Sequence, residues 1–277
     1  TPTLLDYDHR SSGHEFGRSH TFTVMDINND ETPDLLFSGA GAGRNNQNNA
    51  GLIYRAPLDG SDIHTSVTEV SLYDREWGGG SRKGTMMKNV GDFTGNGYAD
   101  ILILSRDETQ PYPLNASDYE YASCNVKVSG GGLATIYEGG DSGLSYTPVF
   151  SYFGSYVHDD LRRGIGNIDV NGDGSLDVVV ASDIWDNARG GVAVLRGRAP
   201  SSAKTEVICD AQEILGPTNN DKLGYAIANL GDIDGDGCAE FAASAPYDST
   251  QGGDGSVTLF WGWNGIGGCH RTQAEAT

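Results

Sequence analysis

The chain has 277 residues, a formal net charge of −20 and 37% hydrophobic residues, 40 of its positions being glycine. That acidity argues against a nucleic-acid backbone or an anionic membrane as a direct partner and suits a protein that collects cations. No apolar run is long enough for a spanning helix, and the glycine-rich, moderately hydrophobic composition describes a turn-rich globular chain.

Taken in chain order, the first segment is a short apolar run at Thr1–Asp8 with no partner run of its own. A strand-like run, HTFTVM (20–25), leads into an acidic loop with Asp26, Asn28, Asp30, Thr32 and Asp34, and then into a second run, DLLFSG. A polar turn and two further alternating runs, GLIYRA and VTEVSLY, complete the unit. The same order recurs. TMMKNVG precedes a loop with Asp92, Thr94, Asn96, Tyr98 and Asp100, followed by DILILS, GLATIYEG and YTPVFSY. RRGIGNI precedes Asp169, Asn171, Asp173, Ser175 and Asp177, followed by DVVVAS, GVAVLRG and TEVICD. GYAIANLG precedes Asp232, Asp234, Asp236, Cys238 and Glu240, followed by EFAASAP and GSVTLFWG. The loops begin at a spacing of roughly 65 residues, too long for a solenoid coil and suited to a four-stranded propeller blade with its loops.

The runs are β-branched or aromatic and bounded by Gly, Asn, Asp or Pro, and no segment sustains a helical period. The expected fold class is therefore all-β, a β-propeller of four-stranded antiparallel blades with four calcium-loop repeats. The chain is read as one domain, 1–277, with blades near 14–75, 82–153, 160–210 and 221–277 and residues 1–8 as an outer strand. Thr3–Tyr7 is expected to pair with Ser256–Phe260 and close the ring; the rival is an arc completed by further blades or a partner chain.

Oxygen side chains at loop positions 1, 3 and 5, an acid at position 9 and a backbone carbonyl at position 7 form a hard-oxygen set that suits Ca2+, up to four ions in all. Glycine at position 6 (Gly97, Gly174, Gly237) eases the turn; Glu31 stands there in the first loop. An EF-hand is excluded, because position 12 of the third loop is Val180, inside a strand-like run. The second loop carries the fewest carboxylates and is expected to bind most weakly.

Here the residues resemble a known pattern. Phe16–Gly17, Leu223–Gly224, the acidic loops and Ser244–Pro246 resemble FG-GAP repeats, the blades of the integrin α-subunit β-propeller and its bacterial relatives. The resemblance implies calcium between strands one and two of each blade. It also implies an extracellular, cell-surface or periplasmic location and a non-enzymatic role in adhesion or protein binding. Family rings commonly have seven blades, more than the four repeats seen here.

The four cysteines form no C-x-x-C pair, and their even number fits two disulfides in an oxidising compartment. The expected pairs are Cys238 with Cys269 and Cys124 with Cys209; buried thiols are the alternative. GDSG at 140–143 lacks the flanking sequence of a protease nucleophile loop, and no G-x-S-x-G or H-E-x-x-H motif occurs, so no catalytic residue is assigned. A tyrosine-rich insertion in the second unit, with a glycosylation sequon at Asn115, is a candidate recognition loop. The partner is expected to be a protein or a glycan. Alternative functions are a carbohydrate-binding propeller or an accessory domain of a secreted hydrolase or lyase. Against the first, Trp77, Trp185, Trp261 and Trp263 do not recur at one repeat position.

Overall fold

The computed structural model describes residues 15–16, 22–40, 52–58, 68–70, 82–106, 119–120, 132–145, 147–154, 160–201, 204–250, 253–262 and 269. Among these, every extended element is a β-strand, and the one helical turn, Trp185–Ala188, contains left-handed backbone at Asp186 and Asn187. Most of the β-branched runs pair with their chain neighbours, because the acidic loops and Gly-rich turns fold the chain back on itself.

The first sheet pairs β2 (Phe22–Met25), β3 (Asp34–Ala40), β4 (Leu52–Pro57) and β5 (Thr68–Val70) antiparallel in chain order, with β1 (Glu15–Phe16) against the far end of β3. The second pairs β6 (Arg82–Gly91), β7 (Asp100–Arg106), β9 (Leu133–Tyr137) and β10 (Phe150–Phe153) in the same way. The third is β11 (Arg163–Ile168), β12 (Asp177–Ser182), β13 (Gly191–Leu195) and β15 (Gln212–Leu215). The fourth has three strands among the described residues, β16 (Ile227–Gly231), β17 (Glu240–Ala245) and β18 (Ser256–Phe260).

One expectation is corrected. The run TEVICD forms β14 (Thr205–Val207), which does not complete the third sheet. It pairs parallel with β10 at the edge of the second sheet, Phe150 opposite Glu206, and the hydroxyl of Thr205 donates to the Pro148 carbonyl at 2.7 Å. A two-residue strand from the second unit's insertion, β8 (Tyr119–Glu120), pairs parallel with its other side. β14 is thus an interior strand and is buried throughout, whereas β15, at the edge of the third sheet, is only half-buried. The edge position tolerates the polar Gln212 and Glu213, so β15 lacks the apolar alternation that marks a strand in sequence. The third sheet accordingly takes its fourth strand from Gln212–Leu215, past Asp210.

The sheets stack face to face. Met25, Ile27 and Leu36 of the first pack with Met87, Ile101, Ile103 and Tyr137 of the second. Val90, Leu102, Leu104 and Phe150 of the second meet Val178, Val180, Trp185 and Ala193 of the third. Val179, Ala181 and Val192 of the third meet Phe241, Ala243 and Phe260 of the fourth, the two phenylalanine rings stacked at 4.7 Å. Burial on both faces explains why β7 and β12 read as continuous apolar runs.

The first strands β2, β6, β11 and β16 lie side by side in that order. Asparagines near their ends tie neighbouring sheets together. Asn167 donates to the Asn89 carbonyl at 3.3 Å and Asn229 to the Asn167 carbonyl at 2.9 Å, while the Asn89 N–H donates to the Thr23 hydroxyl at 3.3 Å. On the outward faces, Phe22 and Val24 of the first sheet and Val257 of the fourth are exposed. The expected partner of Ser256–Phe260, Thr3–Tyr7, lies outside the described residues.

Candidate metal centre

Each acidic loop joins the first and second strands of its sheet, and all four are built on one hydrogen-bond plan. The position-1 aspartate accepts the N–H groups of positions 5 and 6. In the second loop Asp92 takes Asn96 and Gly97 at 2.9 and 2.8 Å; in the third, Asp169 takes Asp173 and Gly174 at 3.2 and 2.9 Å. Asp26 and Asp232 do the same for Asp30 and Glu31 and for Asp236 and Gly237. The position-5 side chain accepts the N–H of position 7. Asp30 holds Thr32, Asn96 holds Tyr98 and Asp173 holds Ser175, each at 2.8 Å, and Asp236 holds Cys238 at 2.9 Å. The coil so formed brings positions 1, 3 and 5 to one side.

The tight coil requires left-handed backbone at position 6, where Gly97, Gly174 and Gly237 have φ of 89°, 87° and 92°. Glu31 adopts the same conformation at φ 65°, so the first loop keeps the turn without the glycine. Position 4 is left-handed as well, at Asn29, Gly95, Gly172 and Gly235, a requirement the sequence reading did not single out.

The ninth-position acids Asp34, Asp100, Asp177 and Glu240 are fully buried. Three of them clamp backbone on two sides. Asp177 accepts Val170 and Gly197 N–H groups, both at 2.9 Å; Asp100 accepts Thr94 at 2.8 Å and Gly139 at 3.1 Å; Glu240 accepts Ile233 at 2.8 Å and Gly262 at 3.1 Å. Gly139, Gly197 and Gly262 stand at the end of the third strand of each sheet. A Cβ at Gly139 would come within 2.3 Å of the Ala99 carbonyl and 2.8 Å of the Ile27 carbonyl in the preceding loop, so only glycine fits this junction. Burial pushes the Asp100 carboxyl up to about 7, against its N–H partners, with Asp92 adding to the rise. Burial likewise pushes Asp177 up to about 6, opposed by Gly197 and Val170 and reinforced by Asp173 and Asp169.

The donor set is oxygen throughout, the chemistry of a hard divalent cation. In the fourth loop, carboxylate oxygens of Asp232, Asp234 and Glu240 lie within 4.8 Å of one another. In the second, the buried Thr94 hydroxyl lies beside the Asp100 carboxyl without a well-formed hydrogen bond, an oxygen of the kind a cation would satisfy. Asp232, Asp234 and Glu240 of the fourth loop are thus gathered as an ion would require, and positions 1, 3, 5 and 9 of the other loops, with the carbonyls of Thr32, Tyr98, Ser175 and Cys238, are candidates through the shared backbone plan. Asp236 also lies near Cys238 and Cys269, but those sulfurs are joined in a disulfide with Cα atoms 5.9 Å apart and are not ligands. That pair matches the expectation. Cys209 is disulfide-bonded too; its expected partner, Cys124, lies outside the described residues, as does most of the tyrosine-rich insertion.

Comparison with known proteins agrees with this plan. The FG-GAP repeat model matches residues 223–260, the fourth unit. Over 125 residues, 41% of this chain, the sequence is 31% identical to integrin α-PS2 of Drosophila melanogaster, covering 8% of that protein. It is 29% identical to integrin α-IIb of Mus musculus over 42% of this chain and 12% of the relative. It is 27% identical to integrin α-M of Mus musculus over 60% of this chain and 13% of the relative. Residues 223–260 carry an FG-GAP repeat, and these likenesses support an FG-GAP-like chain. More particularly, it is integrin α-like in sequence, and it spans only a small part of the length of those relatives. Its stacked antiparallel sheets fit a propeller-like FG-GAP fold.

Proposed function

We propose that the chain is a calcium-stabilised, non-enzymatic β-propeller domain that presents a surface for adhesion or for binding a protein or glycan outside the cell or at its surface. The observation that carries this reading is the fourfold repetition of one oxygen-lined coil, closed each time by a buried ninth-position acid. A carboxylate withdrawn from water is stable when a cation compensates it, so ion binding and folding are linked. The cation would be held by Asp26, Asn28, Asp30 and Asp34; by Asp92, Thr94, Asn96 and Asp100; by Asp169, Asn171, Asp173 and Asp177; and by Asp232, Asp234, Asp236 and Glu240. The disulfide between Cys238 and Cys269 supports an oxidising location.

We further propose one domain whose units begin near residues 14, 82, 160 and 221, forming a ring or part of one. The exposed Phe22, Val24 and Val257 on the two end sheets support completion by the chain's own termini, by further blades or by a partner chain. Calorimetric titration of calcium into chelator-stripped protein, paired with thermal melts, tests the central point. Binding heat and a raised melting temperature are expected; absence of both overturns it. Binding to protein and glycan arrays, lost on chelation, would identify the ligand class.

A further inference from the structure

The second loop has two carboxylates, Asp92 and Asp100, with Thr94 and Asn96 at positions 3 and 5. The fold brings a third carboxylate to it from outside the motif. Glu138 directly follows β9, and the residues directly after β13 and β18 are Arg196 and Trp261. Two hydrogen bonds fix this strand end on the loop: Gly139 N–H to Asp100 Oδ1 at 3.1 Å and Asn96 Nδ2 to the Gly139 carbonyl at 3.2 Å. The Glu138 carboxyl lies beside the Thr94 hydroxyl and within the field of Asp92. Thr94 is 1% exposed and its hydroxyl, set between the carboxyls of Asp100 and Glu138, has no well-formed hydrogen bond. A buried hydroxyl left so costs about 1–3 kcal/mol, and clustered carboxylates repel. One divalent cation would take the hydroxyl lone pair and compensate the charges together.

We propose that Glu138 is an oxygen donor to the ion of the second loop, supplying from the end of the third strand the carboxylate that Thr94 and Asn96 do not. This rests on the calcium reading above. It gives the second unit three carboxylates around its ion, as many as the first and third loops hold, and it removes the expectation that this site is the weakest.

Terbium titration of the intact chain tests the assignment. Tyr98 is the aromatic at position 7 of the second loop, where the other loops have Thr32, Ser175 and Cys238, so the emission lost in Tyr98→Phe identifies this site. Calcium competition against that emission then reports its affinity. Glu138→Gln is expected to weaken the second site by roughly tenfold to a hundredfold, with the remaining sites unchanged. Glu138→Asp, which keeps the charge on a shorter arm, should fall between Gln and the native residue. Circular dichroism of the stripped variants confirms folding. Native affinity in a folded Glu138→Gln chain overturns the assignment, as does a second site that stays silent while the others bind. If no loop of the native chain binds terbium or calcium, the calcium reading itself falls.

Discussion

Replacing Asp177 by asparagine separates the two roles given to the ninth-position acid, backbone clamp and ion ligand. In the metal-free chain the folded carboxyl titrates at about 6 against an ordinary 3.8, because burial outweighs its bonds from Gly197 and Val170. A raised acid pKa means that the folded state holds its proton more tightly than the unfolded state. The stability this confers is complete below the unfolded value and is lost as pH rises through the folded one. At about pH 8 the ionised group therefore weighs against folding by roughly 3 kcal/mol, and at about pH 4 hardly at all. Asparagine removes that charge. It keeps one oxygen for Val170 or Gly197 and turns an amide NH2 toward the other N–H, a buried mismatch of about 1–3 kcal/mol. In stripped protein the variant should thus be less stable than the native chain at about pH 4 and within about 2 kcal/mol of it at about pH 8. Calcium reverses the comparison: at a hundredfold excess over its dissociation constant, a site contributes about 2.7 kcal/mol to the native chain and little to the variant. Urea unfolding at both pH values, stripped and calcium-loaded, reads all of these differences. A variant deficit that does not change with pH refutes the burial argument, and equal calcium stabilisation of both chains refutes the ligand role.

Further outcomes follow from the same geometry. Asp173→Ala should abolish ion binding at the third loop and spare the first, as site-resolved calorimetry would report; loss at both would mean that the loops do not bind independently. Glu31→Gly should stabilise the first loop by about 0.5–1 kcal/mol, since left-handed backbone costs a non-glycine residue about 1–2 kcal/mol and glycine's greater chain entropy returns part of it. Denaturant midpoints measure this change, and a lower midpoint contradicts it. Cys238→Ser with Cys269→Ser opens the 31-residue disulfide loop and should destabilise by about 3–4 kcal/mol. Calorimetric melting tests that value, and non-reducing peptide maps establish the native pairing.

Much of this organisation was legible in the sequence because the repeat presents the same physical problem four times. Alternating apolar runs between acidic turns specify neighbouring antiparallel strands, and the structure pairs them in that order. The spacing of Asp169, Asn171, Asp173 and Asp177 likewise specifies a coil with its oxygens on one side. What escaped the reading is what depends on contact between units. Nothing local to Thr205–Val207 states that this strand crosses to β10 of the preceding sheet; its buried, β-branched residues satisfy either edge, and only the competing claim of Gln212–Leu215 on β13 decides. β15 is silent to periodicity because all four of its residues are half-buried, so neither face is marked by apolar alternation.

The same limit governs the metal centre. The loop motif names the residues proposed to surround an ion from within one turn of chain. It does not name Gly139, Gly197 and Gly262, whose N–H groups hold the ninth-position acids from the third strand, nor Glu138 beside the first of them. A signal for the glycines was present, since each follows the third strand by two residues. Its meaning is steric: the ninth-position acid stays buried only if a backbone N–H can approach it, and a side chain at that point would strike the carbonyl of the preceding loop. The second, third and fourth acidic loops are therefore each assembled from three pieces of chain, the loop's own coil, the end of its own third strand and the loop before it. An ion that tightens the coil bears on the junction between sheets as well as on the hairpin it closes.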